Sequence, residues 1–83
     1  MPLFMDVHRN VKGLTADAVA GAHKKDLEVQ KKHKVNYMRY WFNEKDQTVF
    51  CLCEVPTKEA ADAVHREAHG LAADEIIEVK EGS

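Results

Sequence analysis

Two histidines that are four residues apart lie near the end of one segment: VHREAHG places His65 and His69 just before Gly70. In a helix this spacing puts both imidazoles on one face, where they can bind a metal ion together. The same residues also fit a helix C-terminus, because the helix dipole stabilises an imidazolium there by about 0.3–1 kcal/mol and glycine commonly follows the last turn. The spacing alone leaves both a metal site and a helix cap open.

Further side chains of the metal-binding type lie on predicted strands. Asp6 and His8 share one strand face by the period of two, and Cys51 and Cys53 share one face of another strand. Apolar residues alternate with both pairs, which favours placing the four side chains together on the sheet face away from the helices. A mixture of imidazole, carboxylate and thiolate suits nickel, zinc or cobalt, whereas magnesium and calcium prefer oxygen ligands.

Periodicity and turn residues predict the elements that position these groups. The expected order is a strand over 3–8, a helix capped by Thr15 that runs to about residue 34, strands over 35–43 and 48–55 that form a hairpin, a helix over 58–69 and a strand over 75–79. This order is typical of an α+β, ferredoxin-like βαββαβ sandwich, with a four-stranded antiparallel sheet and two helices on one face. The chain, residues 1–83, is expected to be one such domain.

The topology brings separate segments toward one end of the molecule. The first strand ends at His8, the third strand begins near Cys51, and the second helix ends with His65 and His69. In the first helix, the expected apolar stripe consists of Ala16, Val19, Ala20, His23 and Leu27. His23 on that stripe fits a hydrogen-bonded core histidine or a ligand. The sheet face without helices carries aromatic residues and is expected to pair with a second copy.

Composition excludes several classes of protein. The net charge is −2, which argues against general nucleic-acid binding. The sequence has no apolar run near the ~20 residues that a membrane span needs and no secretion signal, so a cytoplasmic location is expected. The sequence contains five histidines in 83 residues, which is a high proportion of the residue type that most often ligates metals. The HREAH segment is not the metalloprotease motif, because its glutamate is third instead of second.

A series of segments gives a more specific indication. FMDVH (4–8), AH (22–23) with DL (26–27), VFCL (49–52) with Glu54 and Pro56, and HREAHG (65–70) followed by DEII (74–77) resemble, in that order, the small bacterial nickel-binding, ferredoxin-like proteins that are otherwise classed as a domain of unknown function. The resemblance implies a homodimer that binds nickel or a similar divalent ion, without an established catalytic activity. The implied ligand candidates are His8, His65, His69 and Cys51, with Asp6 and His23 behind them. Cys53 departs from the family pattern.

Three functions are compatible with these observations. The first is a cytoplasmic dimer that binds nickel, or zinc or cobalt, and buffers or sequesters it. The second is a small dimeric enzyme of the monooxygenase or isomerase type, in which a pocket holds an organic substrate and His8 or His23 acts as the base. The third is an interaction module whose histidines are incidental. An apolar pocket beside His23 without a metal-compatible cluster would favour the enzyme.

Overall fold

The chain forms one four-stranded antiparallel sheet with two helices, in a computed structural model that describes residues 2–70 and 72–82. The elements are β1 (Leu3–His8), α1 (Ala16–Val29), β2 (Asn36–Asn43), β3 (Thr48–Glu54), α2 (Lys58–Ala68) and β4 (Glu75–Val79). The sheet order is β2-β3-β1-β4, which confirms the predicted ferredoxin-like α+β fold. Residues 1, 71 and 83 of the predicted domain lie outside the described part.

Capping residues determine where the helices begin and end. The side chain of Thr15 accepts a hydrogen bond from the backbone N–H of Ala18, as the predicted N-cap of α1, and the side chain of Thr57 accepts one from Ala60 and caps α2 in the same way. The sequence predicts a helix that runs to about residue 34, but α1 ends at Val29 and the following turn, Gln30–His33, is a 3₁₀ helix. Lys34 then adopts a left-handed conformation (φ 58°), which ends the helix.

The faces of the central strands differ from the prediction. Asp6 lies opposite Cys51 in the β1–β3 register, and both side chains share a face with His8 and Cys53, as expected. That face is buried under the helices, however, and not turned away from them. The prediction was wrong because α1 and α2 supply hydrogen-bonding partners that make burial of the polar residues favourable. The alternating apolar residues, including Phe50, therefore face the open side.

The buried face of α1 also differs from the expected stripe. Val19 is buried as predicted, but Ala16, Ala20 and Leu27 are exposed, and the second buried residue of the helix is Asp26. The stripe was predicted from hydrophobicity alone. The helix is instead oriented by the contacts of Asp26 with His65 of α2 and with His69, the residue that follows α2.

A bulge in β2 keeps two tyrosines on the same side of the sheet. Tyr37 pairs with Cys53 and Tyr40 with Cys51, although the tyrosines are three residues apart, because the register shifts between Tyr37 and Arg39. In a regular strand an odd separation would place the two side chains on opposite faces. The extra residue thus directs both tyrosine side chains toward the helices.

The open face of the sheet carries a large apolar surface. Trp41, Phe50 and Ile77 are 47 %, 36 % and 47 % exposed, respectively. Trp41 lies directly opposite Phe50 in the β2–β3 register, and Met5 lies opposite Ile77 in the β1–β4 register. A contiguous patch of this kind is uncommon on a monomer. None of the helices formed by the described residues has the length and apolar character that a membrane crossing requires.

Candidate metal centre

The imidazole of His65 is the centre of the buried polar cluster. His65 lies in the last turn of α2 and its side chain is 1 % exposed. Its Nδ1 is 3.0 Å from Oδ1 of Asp26, and its Nε2 is 2.5 Å from Oδ2 of Asp6. The hydroxyl of Tyr37 donates to the same Asp6 oxygen at 2.7 Å. Carboxylates therefore hold both ring nitrogens.

The two carboxylates determine the charge of this imidazole. Burial alone would lower the pKa of His65, but the hydrogen bonds to Asp26 and Asp6 outweigh it and raise the pKa to about 9. Burial would raise the pKa of Asp26, and the hydrogen bonds from His65 and His69 reverse this effect, so the pKa of Asp26 is lowered. At neutral pH the core thus contains an imidazolium between acidic side chains.

Two overlapping groups of potential metal ligands share His65. In the first group, His8 and Cys51 join His65; in the second, Asp26 and His69 join it, and the ligand atoms of each group lie within 4.8 Å of one another. His69 also contacts Asp26 directly, with its Nε2 3.1 Å from the carboxylate oxygen. The structure thus brings together the four residues that the topology was expected to bring to one end.

The members of the first group differ in their readiness to bind a cation. Burial and the neighbouring charge of His65 lower the pKa of His8, so its ring is neutral and has a lone pair available. Burial and the proximity of Asp6 raise the pKa of the Cys51 thiol, which must lose its proton before it ligates a metal. His65 can ligate only after giving up a hydrogen bond to a carboxylate, because both of its nitrogens are engaged.

An unpaired carboxylate oxygen supports the fit of a cation to this cluster. Oδ1 of Asp6 is buried and has no hydrogen-bond partner within residues 2–70 and 72–82. A buried acceptor without a partner is unfavourable, and a cation would compensate for it. The nitrogen and sulfur donors of His8, His65 and Cys51 form a set that suits nickel, zinc or cobalt.

The remaining predicted residues, Asp6, His23 and Cys53, lie outside both groups of ligand atoms, although Asp6 hydrogen-bonds to His65. His23 packs against Tyr40, with ring centroids 4.8 Å apart, and belongs to neither set of ligand atoms. Cys53 is fully buried, and its thiol donates to the backbone oxygen of Phe4 at 3.7 Å. Cys53 thus has a structural contact of its own, which separates it from the cluster.

Sequence reasoning missed two members of the buried network, Asp26 and Tyr37. For Asp26 the available signal was its position three residues after His23 and seven after Val19, which places the three residues on one helix face. For Tyr37 there was no comparable signal, because its position facing the helices depends on the register of the bulged strand.

A cavity of about 520 Å³ opens beside the cluster, between α1 and the sheet. The cluster residues His8, Cys51, His65 and His69 form part of its lining. The loop between β1 and α1 and the inward face of α1 form most of the remainder, including Val11, Leu14, Val19, Ala22 and His23, and the strands add Tyr40 and Val49. The expected pocket beside His23 therefore exists, but it lies next to metal-compatible groups.

The fold and this cluster define a class of protein: a small ferredoxin-like domain with a buried centre of histidine, carboxylate and thiol groups. A family model described as nickel responsive protein SCO4226-like matches residues 4–79, and the chain belongs to this family. The chain is also similar to the crystal structure of SCO4226 from Streptomyces coelicolor A3(2), with 42 % identity and a TM-score of 0.90 over 98 % of this chain and 99 % of that chain. Among curated protein sequences, none matches the chain.

Proposed function

We propose that this protein binds nickel, or zinc or cobalt, at the buried cluster and thereby buffers or sequesters the ion. The observation that carries the proposal is the convergence of His8, Cys51 and His65 from three different elements, with ligand atoms within 4.8 Å of one another. Membership of a family named for its response to nickel supports the choice of metal. Asp6, which hydrogen-bonds to His65, adds a buried carboxylate oxygen that has no partner in the described part of the chain.

The residues of the cluster have different proposed roles in metal binding. His8, whose pKa is lowered by burial, is the ligand that requires the least rearrangement, whereas His69 must give up its contact with Asp26. Cys51 and His65 join them with the loss of protons, so affinity falls as the pH falls. Asp26 and Asp6 balance the charge of the ion. His23 lies outside the cluster and is not part of the proposed ligand set.

The sheet supports the proposed assembly. We expect a cytoplasmic homodimer in which the open face of one copy packs against that of another and buries Trp41, Phe50 and Ile77. The enzyme hypothesis required a pocket beside His23 without a metal-compatible cluster. The pocket is accompanied by two such groups, so metal binding remains the preferred function.

Calorimetric titration of metal-free protein without a histidine tag tests the proposal. We expect stoichiometric uptake of Ni(II) at pH 7.5 that weakens as the pH falls toward 6. His8→Ala and His69→Ala should each weaken binding by about tenfold or more, equivalent to about 1.4 kcal/mol. His33→Ala is the matched control, because His33 lies on the 3₁₀ turn and contacts Glu67 instead of the cluster.

The proposal fails if Ni(II), Zn(II) and Co(II) all bind no tighter than about 1 mM. Equal loss of affinity in the His33 variant would place the metal elsewhere on the protein. Retention of full affinity in both cluster variants would support the third hypothesis, in which the protein is an interaction module and its histidines are incidental.

A further inference from the structure

The cavity beside the cluster is larger and more apolar than a metal ion requires. Its volume, about 520 Å³, falls in the range of roughly 300–1,000 Å³ that is usual for pockets that hold small organic molecules. Away from the cluster, polar residues of the β1–α1 loop lie in the same lining as a group of aliphatic side chains from that loop, α1 and β3: Val11, Leu14, Val19, Ala22 and Val49. These aliphatic side chains have no donor atom for a cation, so metal binding does not account for this part of the cavity.

Most charged groups around the cavity are paired or hydrogen-bonded within the protein, whereas Lys12, an exposed residue of the β1–α1 loop that also lines the cavity, has no ion pair among the described residues. The carboxylate of Asp26 contacts His65 and His69. At the mouth, the guanidinium of Arg9 pairs with Glu75 at 2.6 Å, and the carboxylate of Asp74 accepts the backbone N–H of Arg9. A cationic ligand would therefore lack a free counter-ion in the wall, and an anionic ligand would find only the exposed Lys12, whose solvated charge contributes little to binding. The lining favours an uncharged occupant.

One wall of the cavity is aromatic and retains hydrogen-bonding capacity. The rings of His23 and Tyr40 lie 4.8 Å apart and both line the cavity. Nδ1 of His23 is buried and has no hydrogen-bond partner in the described part of the chain. Burial lowers the pKa of this imidazole, so the ring is neutral and has one donor and one acceptor nitrogen.

From this geometry we infer that the cavity is a binding site for a small uncharged organic molecule that has an aromatic body and one hydroxyl or carbonyl group. The aromatic body packs between the aliphatic residues of α1 and the His23–Tyr40 wall, and the polar group hydrogen-bonds to His23. This part of the cavity adjoins the proposed metal ligands, which line another part of it, and binding there does not depend on a metal ion.

Titration of metal-free, isotopically labelled full-length protein with phenol, toluene and benzoate, followed by amide chemical shifts, tests the inference. We expect phenol to bind about tenfold more tightly than toluene, which lacks the hydroxyl, and than benzoate, which is charged. The shifts should map to residues 10–14 and 18–23. His23→Phe should abolish the preference for phenol over toluene.

A matched pair of variants tests the location. Ala22→Phe fills the cavity from α1 and should abolish phenol binding, whereas Ala20→Phe changes an exposed position of the same helix and should leave it intact. Nickel titration of both variants reports separately on the cluster, so failure of one proposal is distinguishable from failure of the other. Equal affinity for phenol and toluene, phenol binding that survives Ala22→Phe, or shifts that map to Trp41, Phe50 and Ile77 would each overturn the inference.

Discussion

At the scale of single residues, the charge of His65 has a direct effect on stability. The folded-state pKa of about 9 exceeds the ordinary value of 6.5, so the protonated form stabilises the folded state. This contribution is complete below pH 6.5 and is lost as the pH rises through about 9. We expect the free energy of unfolding to fall by about 3 kcal/mol over this window.

Urea unfolding at pH 6, 7.5 and 9 measures this dependence on metal-free protein. His33→Asn should show the same decline, because His33 is outside the buried network. Stability that stays constant or rises between pH 6 and 9 would show that His65 is not held as an imidazolium.

Asp26 provides a second test at the same scale. Asp26→Asn removes the carboxylate that pairs with His65 and His69, and it leaves their positive charge with less compensation in the core. We expect a loss of about 3 kcal/mol in the free energy of unfolding. Glu28→Gln makes the same chemical change at an exposed position of α1 and should cost no more than about 0.5 kcal/mol. Similar losses in both variants, measured by urea unfolding, would contradict the buried pairing.

Apart from Asp26 and Tyr37, the identity of the clustered residues could be predicted from the sequence, but their orientation could not. Strand periodicity placed Asp6 with His8, and helix spacing placed His65 with His69. Which face is buried depends on partners that come from distant parts of the chain. Hydrophobicity assigned the polar face to the outside, and the pairing of Asp6 with His65 reverses that preference.

At the scale of elements, the helix starts are local and their energetics can be tested separately. The hydroxyl of Thr57 accepts the backbone N–H of Ala60 at the start of α2. Thr57→Ala should reduce the free energy of unfolding by about 1 kcal/mol, and Thr57→Ser, which retains the hydroxyl, should restore most of it. Thermal unfolding of the two variants measures the difference. Equal stability of the Ala and Ser variants would show that the hydroxyl does not cap the helix.

The elements themselves could be predicted closely because their signals are local. Alternation, N-cap threonines and Gly70 are all features of short segments, and β4 has the predicted limits, Glu75–Val79. The 3₁₀ turn at Gln30–His33 and the bulge in β2 could not be predicted in this way. Both depend on how the end of α1 and the β2 strand fit the rest of the sheet.

At the scale of the whole molecule, the open sheet face should determine the oligomeric state. Trp41→Lys or Ile77→Lys places a charge in the proposed interface and should shift the protein toward monomers in sedimentation equilibrium. Leu27→Lys is the matched control, because Leu27 is an apolar residue of α1 that is 41 % exposed and lies away from this face. A monomeric unsubstituted protein, or a dimer that survives both interface variants, would contradict the assembly.

The bulge in β2 has a consequence for how the chain length can vary. Met38 is the additional residue between two regular pairings, so a chain that lacks Met38 keeps the partners of Tyr37 and Arg39. We expect the Met38 deletion variant to fold with both tyrosines still facing the helices, as near-ultraviolet circular dichroism can report. Phe50 of β3 is paired regularly with both neighbouring strands. Its deletion should instead place the side chains on one side of the deletion on the wrong face of the sheet and prevent folding. We therefore expect this chain to tolerate the loss of a residue at one point of its sheet and to keep its interior, and equal loss of folding in both deletions would refute that tolerance.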